Sequence, residues 1–505
     1  MKFTVKKAIR NYNLILNLKS ADKLALSQIL LLLLLPLVLF FSAFPVLNLT
    51  ALAPEITSLN LELSLPEFWL IFFSIVSLSR LLSPAHLRAY FYDFFLAIPK
   101  KSFLISLLFP AYASLSLLWT KNFLRGFLTV TILWLLWFSI LNIVTLLKSS
   151  PHLRPLLKKS LMLSTVFICL FCWLQCFANV FWRKNFLLCL GCTYSAFGFP
   201  HPNGFTLEPQ FMGNLLLAPA LLSLKSLSGI RGRRLSIFII STLFLTFSRG
   251  TIFSFIFALP AFILTSKKSK SLLKIPRVII TSFLISLLAQ GFFAQFSPVN
   301  TTFYDGIRAS ISQLSLNKIN LPSLNSSQAI LPEDDSPKTL SEISEQKISA
   351  DLHDNIGNPS SSIDSENAES VSANHPSDSP NFDGYVPEST NIRLRLSELA
   401  LDRWNDDPFS LIFGAGAGSA GASLFEKFPS ELGTPKEIVQ NEYVSLLLEL
   451  GVIPYCIIFF LIVKFRKALR KKSQKLPLIL AYAFSLLFFS GLPNALHIYL
   501  LPFLL

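Results

Sequence analysis

The sequence predicts an all-α polytopic membrane protein of about twelve transmembrane helices carrying one large extracytoplasmic loop. Three observations predict it. First, the 505 residues are 52% hydrophobic and only 14% charged, where a soluble chain carries about 25% charge; the mean hydropathy is +0.55. Second, continuous apolar runs of roughly 15 to 24 residues recur along the chain, each near the length of a bilayer crossing. Their continuity excludes a β-barrel, whose strands alternate. Third, the basic residues gather in every other gap between the runs, which is a topology signal.

Taken in order, the predicted spans lie near 24–47, 68–82, 102–119, 126–147, 160–181, 207–224, 235–248, 251–265, 278–296, 441–463, 476–490 and 493–505. The amino terminus, MKFTVKKAIR, is basic. The apolar run after it is longer than a signal-peptide core, and Pro54 follows the Ala51-Leu52-Ala53 triplet, so an uncleaved first helix is expected. The loop after it carries Glu55, Glu62 and Glu67 without Lys or Arg, and the next gap carries Arg80, Arg88, Lys100 and Lys101. The alternation continues through Lys225/Arg231/Arg233/Arg234, Lys267–Arg277 and Lys464–Lys475. It predicts a plasma-membrane protein with both termini cytoplasmic. The net charge of +15 is accounted for by this partition, and no nucleic-acid partner is expected.

Residues 1–296 are thus expected to hold nine helices and 441–505 three more, with 297–440 outside. Within that loop, 308–390 is rich in Ser, Asn, Asp, Glu and Pro and cannot bury enough apolar surface to fold, so disorder is expected there. Order should resume near Tyr385 and continue through 391–440, because IRLRLSELALDRW places apolar residues at helical spacing. His353 and His375 in the acidic insertion are incidental. Of the six cysteines, Cys169, Cys172 and Cys176 lie inside the apolar run FICLFCWLQCF and read as small hydrophobes. Cys189 and Cys192 sit near the outer face, where a disulfide is conceivable. Neither a metal nor a cofactor is expected.

The residues suited to chemistry concentrate on the outer side. Arg249, in TLFLTFSRGTIFSFIF, sits between two basic segments, so the chain must turn back at Ser248-Arg249-Gly250. Arms of about 14 residues reach only about 21 Å, against a hydrocarbon core of about 30 Å. Arg249 is therefore expected below the outer surface in a protein-lined cavity, where a guanidinium is costly unless paired; the alternative is snorkelling to headgroups. Arg393, Arg395 and Arg403 add positive charge. On a helix Arg395 and Arg403 share a face and Arg393 lies about 160° from Arg395. Their forks suit a diphosphate, or they pair with Glu398, Asp402 and Asp406 on a solvated helix. Gly414 and Gly416, in GAGAGS, predict a tight turn that lets backbone approach a ligand, although the Lys-Ser/Thr of a P-loop is missing. Gln440, Asn441 and Glu442 open the next helix, whose N–H groups favour an anion, with Glu449 and Gly451 two to three turns on. His201, in FPHPNG ahead of Glu208-Pro209, is either an acid or base or part of an ordinary polar loop.

The order TFSRG, a large outer loop, Arg393 with Ala400 seven residues on, a G-x-G turn and N-E-Y-x-x-L-L-x-E-x-G resembles the O-antigen ligase and Wzy-type polymerase superfamily over about 195–455. The resemblance implies a GT-C-like, metal-independent membrane glycosyltransferase. Its donor would be an undecaprenyl-diphosphate-linked glycan, its acceptor a glycan, lipid or protein, and its surroundings membrane lipids. It further implies that Arg249 and Arg393, with Arg395 as fallback, hold the diphosphate. One departure stands out: ligases commonly carry a His before this Asn, as general base, where this chain has Gln440. A glutamine amide accepts no proton at neutral pH. Either Glu442, Glu437 or His201 serves instead, or base assistance is weak, or the chain is a polymerase-like or inactive relative. The different-class alternative is a transporter or flippase for lipid-linked or anionic solutes, which tends to show internal repeats; no convincing repeat is present.

Overall fold

The helices begin where the sequence offers caps and continue while it stays apolar. A computed structural model of the chain describes residues 23–43, 45–48, 62–79, 100–182, 200–227, 229–265, 274–296, 382–432, 439–470, 475–490 and 499–502. Helix α1 (Lys23–Val38) leads into a two-stranded antiparallel ribbon, β1 (Pro45–Asn48) with β2 (Glu62–Ser64), in which Leu47 faces Leu63. This short ribbon is the one departure from helix among the described elements, and the chain is otherwise helical as expected. Helix α2 (Leu65–Ser79) starts from a capping box: Ser64 N–H and its hydroxyl both donate to Glu67, the first at 2.6 Å.

Then follow α3 (Lys100–Leu115), α4 (Phe123–Ser149), α5 (Leu153–Trp182), α6 (Pro209–Ser223), α7 (Ile230–Leu245), α8 (Arg249–Thr265) and α9 (Lys274–Gln295). After the acidic insertion come α10 (Phe382–Trp404), α11 (Pro408–Phe413), α12 (Ala420–Lys427), α13 (Glu442–Leu450), α14 (Ile453–Arg470) and α15 (Leu476–Ser485). The insertion through residue 381, Glu437, His353, His375, Cys189 and Cys192 lie outside the described residues.

Among the described residues, α4, α5 and α9 are long and apolar enough to cross a membrane. Shorter apolar helices lie at Leu26–Val38, Leu65–Ser79, Phe103–Leu118, Arg249–Thr265 and Leu476–Ser485. The span expected at 441–463 is not one helix. It breaks after α13 at Gly451 and bends by 120° into α14.

Helix α6 is the hub. Met212, Leu215, Leu216, Leu217 and Ala218 are wholly buried, as a helix apolar on every face requires, and α5, α7, α8 and α15 all pack on it. The carboxy-terminal helices therefore share one core with the amino-terminal ones. Polar contacts face inward: Gln28 donates to Ser77 at 2.7 Å and Trp173 to Thr242 at 3.0 Å. Large apolar side chains face outward, including Leu163, Phe167 and Leu170 on α5 and Ile280, Phe283 and Leu288 on α9. Such an apolar exterior matches a lipid surrounding and would be a liability in water. A second, smaller core joins Leu396, Leu399 and Ala400 of α10 to Leu424 of α12 and Leu448 of α13. It holds the ordered end of the loop against the bundle.

Candidate functional site

The chain breaks between α7 and α8 at Thr246–Ser248, and the break is built from specific contacts. Phe247 takes a left-handed φ of 51°, and no other described non-glycine residue does so, a conformation that costs about 1–3 kcal/mol unless its surroundings hold it. Its ring lies against the imidazole of His201, with 5.6 Å between centroids. Ser248 and Thr251 share a hydrogen bond of 2.8 Å, and Thr251 donates to Asn214 of α6 at 3.0 Å. Two glycines let the helices close in. A Cβ on Gly213 would fall 2.8 Å from the Thr251 hydroxyl oxygen, and one on Gly250 would fall 2.7 Å from Phe488. Arg249, half-buried, opens α8 at this point. The two arms have 16 and 17 residues, slightly longer than expected.

The polar turn Pro200–Glu208 covers the break. It is anchored from below by Gln175, a fully buried residue of α5. Gln175 accepts from Gly204 N–H at 2.8 Å and donates to Gly204 O at 2.8 Å and Asn203 Oδ1 at 3.3 Å. The anchored turn holds His201 within electrostatic reach of Arg249 and leaves Glu208 exposed. Burial, and then the positive charge of Arg249, push the His201 imidazole down to about 3. His201 is thus neutral at physiological pH and a poor proton acceptor.

The sign of the linked stability change follows. An unfolded chain takes up a proton on His201 below about pH 6.5, and the folded chain refuses it until about pH 3. Acid should therefore erode the wild type faster than His201→Gln, by about 1.4 kcal/mol per pH unit between pH 6 and pH 4. Parallel unfolding curves for the two proteins across that window would contradict the buried neutral imidazole.

Helix α10 carries a second arginine, Arg393. Half-buried Arg393 interacts electrostatically with both Arg249 and Glu208. Two guanidiniums, a carboxylate and an imidazole from segments some 190 residues apart are thus linked electrostatically: His201 with Arg249, Arg249 with Arg393, and Arg393 with Glu208. Like charges in reach of each other repel, and a multivalent anion would offset that repulsion.

The other expected residues lie elsewhere or are otherwise engaged. Arg395 is exposed and ion-paired to Glu431 at 2.7 Å and Glu398 at 3.3 Å. Arg403 pairs with Asp406 at 3.1 Å and donates toward Ser410 at 3.4 Å. Both are therefore engaged by carboxylates on or beside α10. Asn441 caps α13 by accepting from the N–H groups of Tyr443 (3.1 Å) and Val444 (3.3 Å), while Glu442 N–H donates to Leu486 O at 3.0 Å. That helix start is already satisfied and offers no anion seat. The Glu442 carboxylate is buried and accepts from Tyr499 and Ser490, so its role is to tie α13 to the carboxy-terminal segment. Gln440 stays half-buried just outside the cap.

The glycine turn approaches protein and not ligand. A Cβ on Gly414 would fall 2.5 Å from the Glu449 carbonyl oxygen and one on Gly416 would fall 2.5 Å from Thr120 Cα, and both sit at positive φ. Ala415 and Gly416 N–H groups donate to Leu448 O and Glu449 O, each at 2.8 Å. The Glu449 carboxylate accepts from Gly418 N–H at 2.9 Å and Ala420 N–H at 3.4 Å. Gly451, at φ +64°, lies against Ile412 backbone. The turn is a wedge binding α11 and α12 to the bend at Gly451.

Three contributors escaped the sequence reading: Arg125, buried next to Glu449; Gln175, hidden in an apolar run; and Phe247, whose backbone conformation no composition signals. Cys169, Cys172 and Cys176 are buried free thiols, as their apolar neighbours suggest. Comparison of the chain with family models, curated proteins and solved structures gave no match.

Proposed function

We propose that the chain is a multi-pass plasma-membrane glycosyltransferase of the O-antigen ligase or polymerase type. It transfers or polymerises a glycan from an undecaprenyl-diphosphate carrier at the outer face. On this reading the bundle is GT-C-like with about twelve crossings, some formed by short helices and by the broken α13–α14 pair, and both termini are cytoplasmic. The observation that supports the reading is that Arg249 and Arg393, 144 residues apart in sequence, lie within electrostatic reach of each other; on this reading they line one cleft, where a diphosphate would offset their mutual repulsion. Their forks hold the developing charge on the departing diphosphate, which is catalysis by preorganised electrostatics. Metal is not required for that role.

The bend at Gly451 favours a second reading, transport, because transporters place broken helices at their binding sites. The α13 terminus at that bend, however, is occupied by the glycine turn through Glu449 and Tyr112, whose hydroxyl donates to Leu450 O at 3.1 Å. A deletion strain separates the two. Glycan transfer predicts accumulated lipid-linked glycan on the outer leaflet and missing surface polymer, both restored by the wild-type gene. Accumulation confined to the inner leaflet would favour transport.

A further inference from the structure

The helix ends opposite Arg249 carry a dense set of basic residues. We infer that this face seats the phosphate headgroup of an acidic phospholipid between the start of α5, the end of α6 and the start of α15. The inference rests on the membrane-spanning reading of the bundle and stands whether or not the chain transfers glycan.

Hydrogen bonds across the bundle determine which ends lie together. Gln175, late in α5, accepts from Gly204 N–H at 2.8 Å just ahead of α6, so α5 and α6 run antiparallel. Trp173 of α5 donates to Thr242 in the last turn of α7 at 3.0 Å, so α5 and α7 run the same way. Helix α9 runs with α7, because Ser282 donates to Ile237 O at 3.3 Å and Gln290 to Phe244 O at 3.2 Å. Helix α15 runs against α6: Gln210 donates to Phe488 O at 2.7 Å and Tyr482 to Asn214 O at 3.1 Å. The starts of α5, α7, α9 and α15 therefore share one end of the bundle with the end of α6. Arg249 follows the end of α7 and lies at the other.

That end is basic throughout. KSSPHLRPLLKK (148–159) leads into α5, KSLSGIRGRR (225–234) joins α6 to α7, KIPR (274–277) opens α9 and Lys475 precedes α15. The stretches that supply it, 94–207, 209–304 and 450–505, contain no Asp or Glu. Arg154 and Lys158, four residues apart, share a face of α5, and both are exposed while Leu153 and Leu157 beside them are buried. Arg154 donates from Nε to Leu147 O at 3.2 Å, and among the described residues its terminal nitrogens have no acceptor. Helix α6 packs on both α5 and α15, which brings Lys158 within electrostatic reach of Lys225 and Lys475. A phosphate among these cations offsets their repulsion. The surface below favours a lipid over a free anion: exposed Lys159, Leu163, Phe167 and Leu170 fall on one stripe of α5. Because α5 is long enough to cross the bilayer, the basic end of that stripe sits at headgroup depth and the apolar part at acyl-chain depth.

The test titrates purified full-length protein in detergent with phosphatidylglycerol and, separately, with phosphatidylcholine, and reads bound lipid by native mass spectrometry. Wild type should hold phosphatidylglycerol at least about tenfold more tightly. Combining Lys158→Gln, Lys225→Gln and Lys475→Gln should weaken phosphatidylglycerol by about 30-fold or more, at roughly fivefold per cation. The same three lysines changed to arginine should keep the preference, as should Arg277→Gln on α9, outside the three seat helices. If the triple variant does not survive purification, each single glutamine variant should still lose about fivefold. Equal affinity of wild type for the two lipids would overturn the inference, and so would glutamine variants that keep the preference. Displacement of phosphatidylglycerol by millimolar inorganic phosphate would overturn the lipid assignment in favour of a soluble anion. A wild type that transfers no glycan but shows this lipid preference would sink the transfer reading and leave the seat standing.

Discussion

Arg249→Ala and Arg393→Ala should each abolish glycan transfer while the protein still inserts in the membrane. Each variant removes one preorganised donor from a site where charge develops, a loss of about 10²- to 10³-fold in turnover. A lysine at either position should restore little, since a single ammonium does not reproduce a bidentate fork. Arg395→Ala is the internal control. Its guanidinium is exposed and paired with Glu431 and Glu398, so surface glycan should stay at the wild-type level. The assay is surface polymer in the complemented deletion strain, with membrane content measured by immunoblot. Normal polymer in both arginine variants would refute the account.

The second large effect concerns folding. Arg125 is buried where α4 begins, in electrostatic reach of the half-buried Glu449 on α13. Glu449 also holds Gly418 and Ala420 N–H groups at the start of α12. Glu449→Ala leaves a buried guanidinium without its counter-charge and frees the glycine turn, which should cost about 3–5 kcal/mol. Arg125→Met alone should cost a comparable amount. The pair Arg125→Met with Glu449→Leu should be markedly more stable than either single variant, because removing two mutually attracting charges together leaves neither one without its counter-charge. Denaturation in detergent micelles measures all three. A double variant as unstable as the sum of the singles would show that the two side chains do not interact.

What could be read from the sequence follows from where the determinants lie. The break at Arg249 was legible because Ser248-Arg249-Gly250 is the one polar interruption in its apolar run, and a chain between two basic segments has to turn there. The folded stretch after the acidic insertion was legible from the helical spacing of Leu396, Leu399 and Ala400, which do form a core with Leu448. The bend at Gly451 was not. It depends on Ile412 backbone arriving against that glycine, a contact from forty residues away that hydropathy does not register. The same limit explains Gly414 and Gly416: sequence shows that backbone approaches something there, and only the fold shows that it is Thr120 and Glu449. Helical spacing already set Arg393 and Arg395 about 160° apart, and the fold adds that Arg395 is taken up by Glu431 and Glu398. Gln175 was invisible because one amide among aromatics barely changes the composition of its run.

The most direct measurement is the affinity of the purified protein for undecaprenyl diphosphate in nanodiscs, compared across wild type, Arg249→Ala, Arg393→Ala and Arg395→Ala. A charge-assisted hydrogen bond contributes about 1.5–3 kcal/mol, so each of the first two variants should bind about 10- to 100-fold more weakly, with Arg395→Ala unchanged. Equal affinity across all four proteins would contradict the cleft as the seat of the carrier diphosphate.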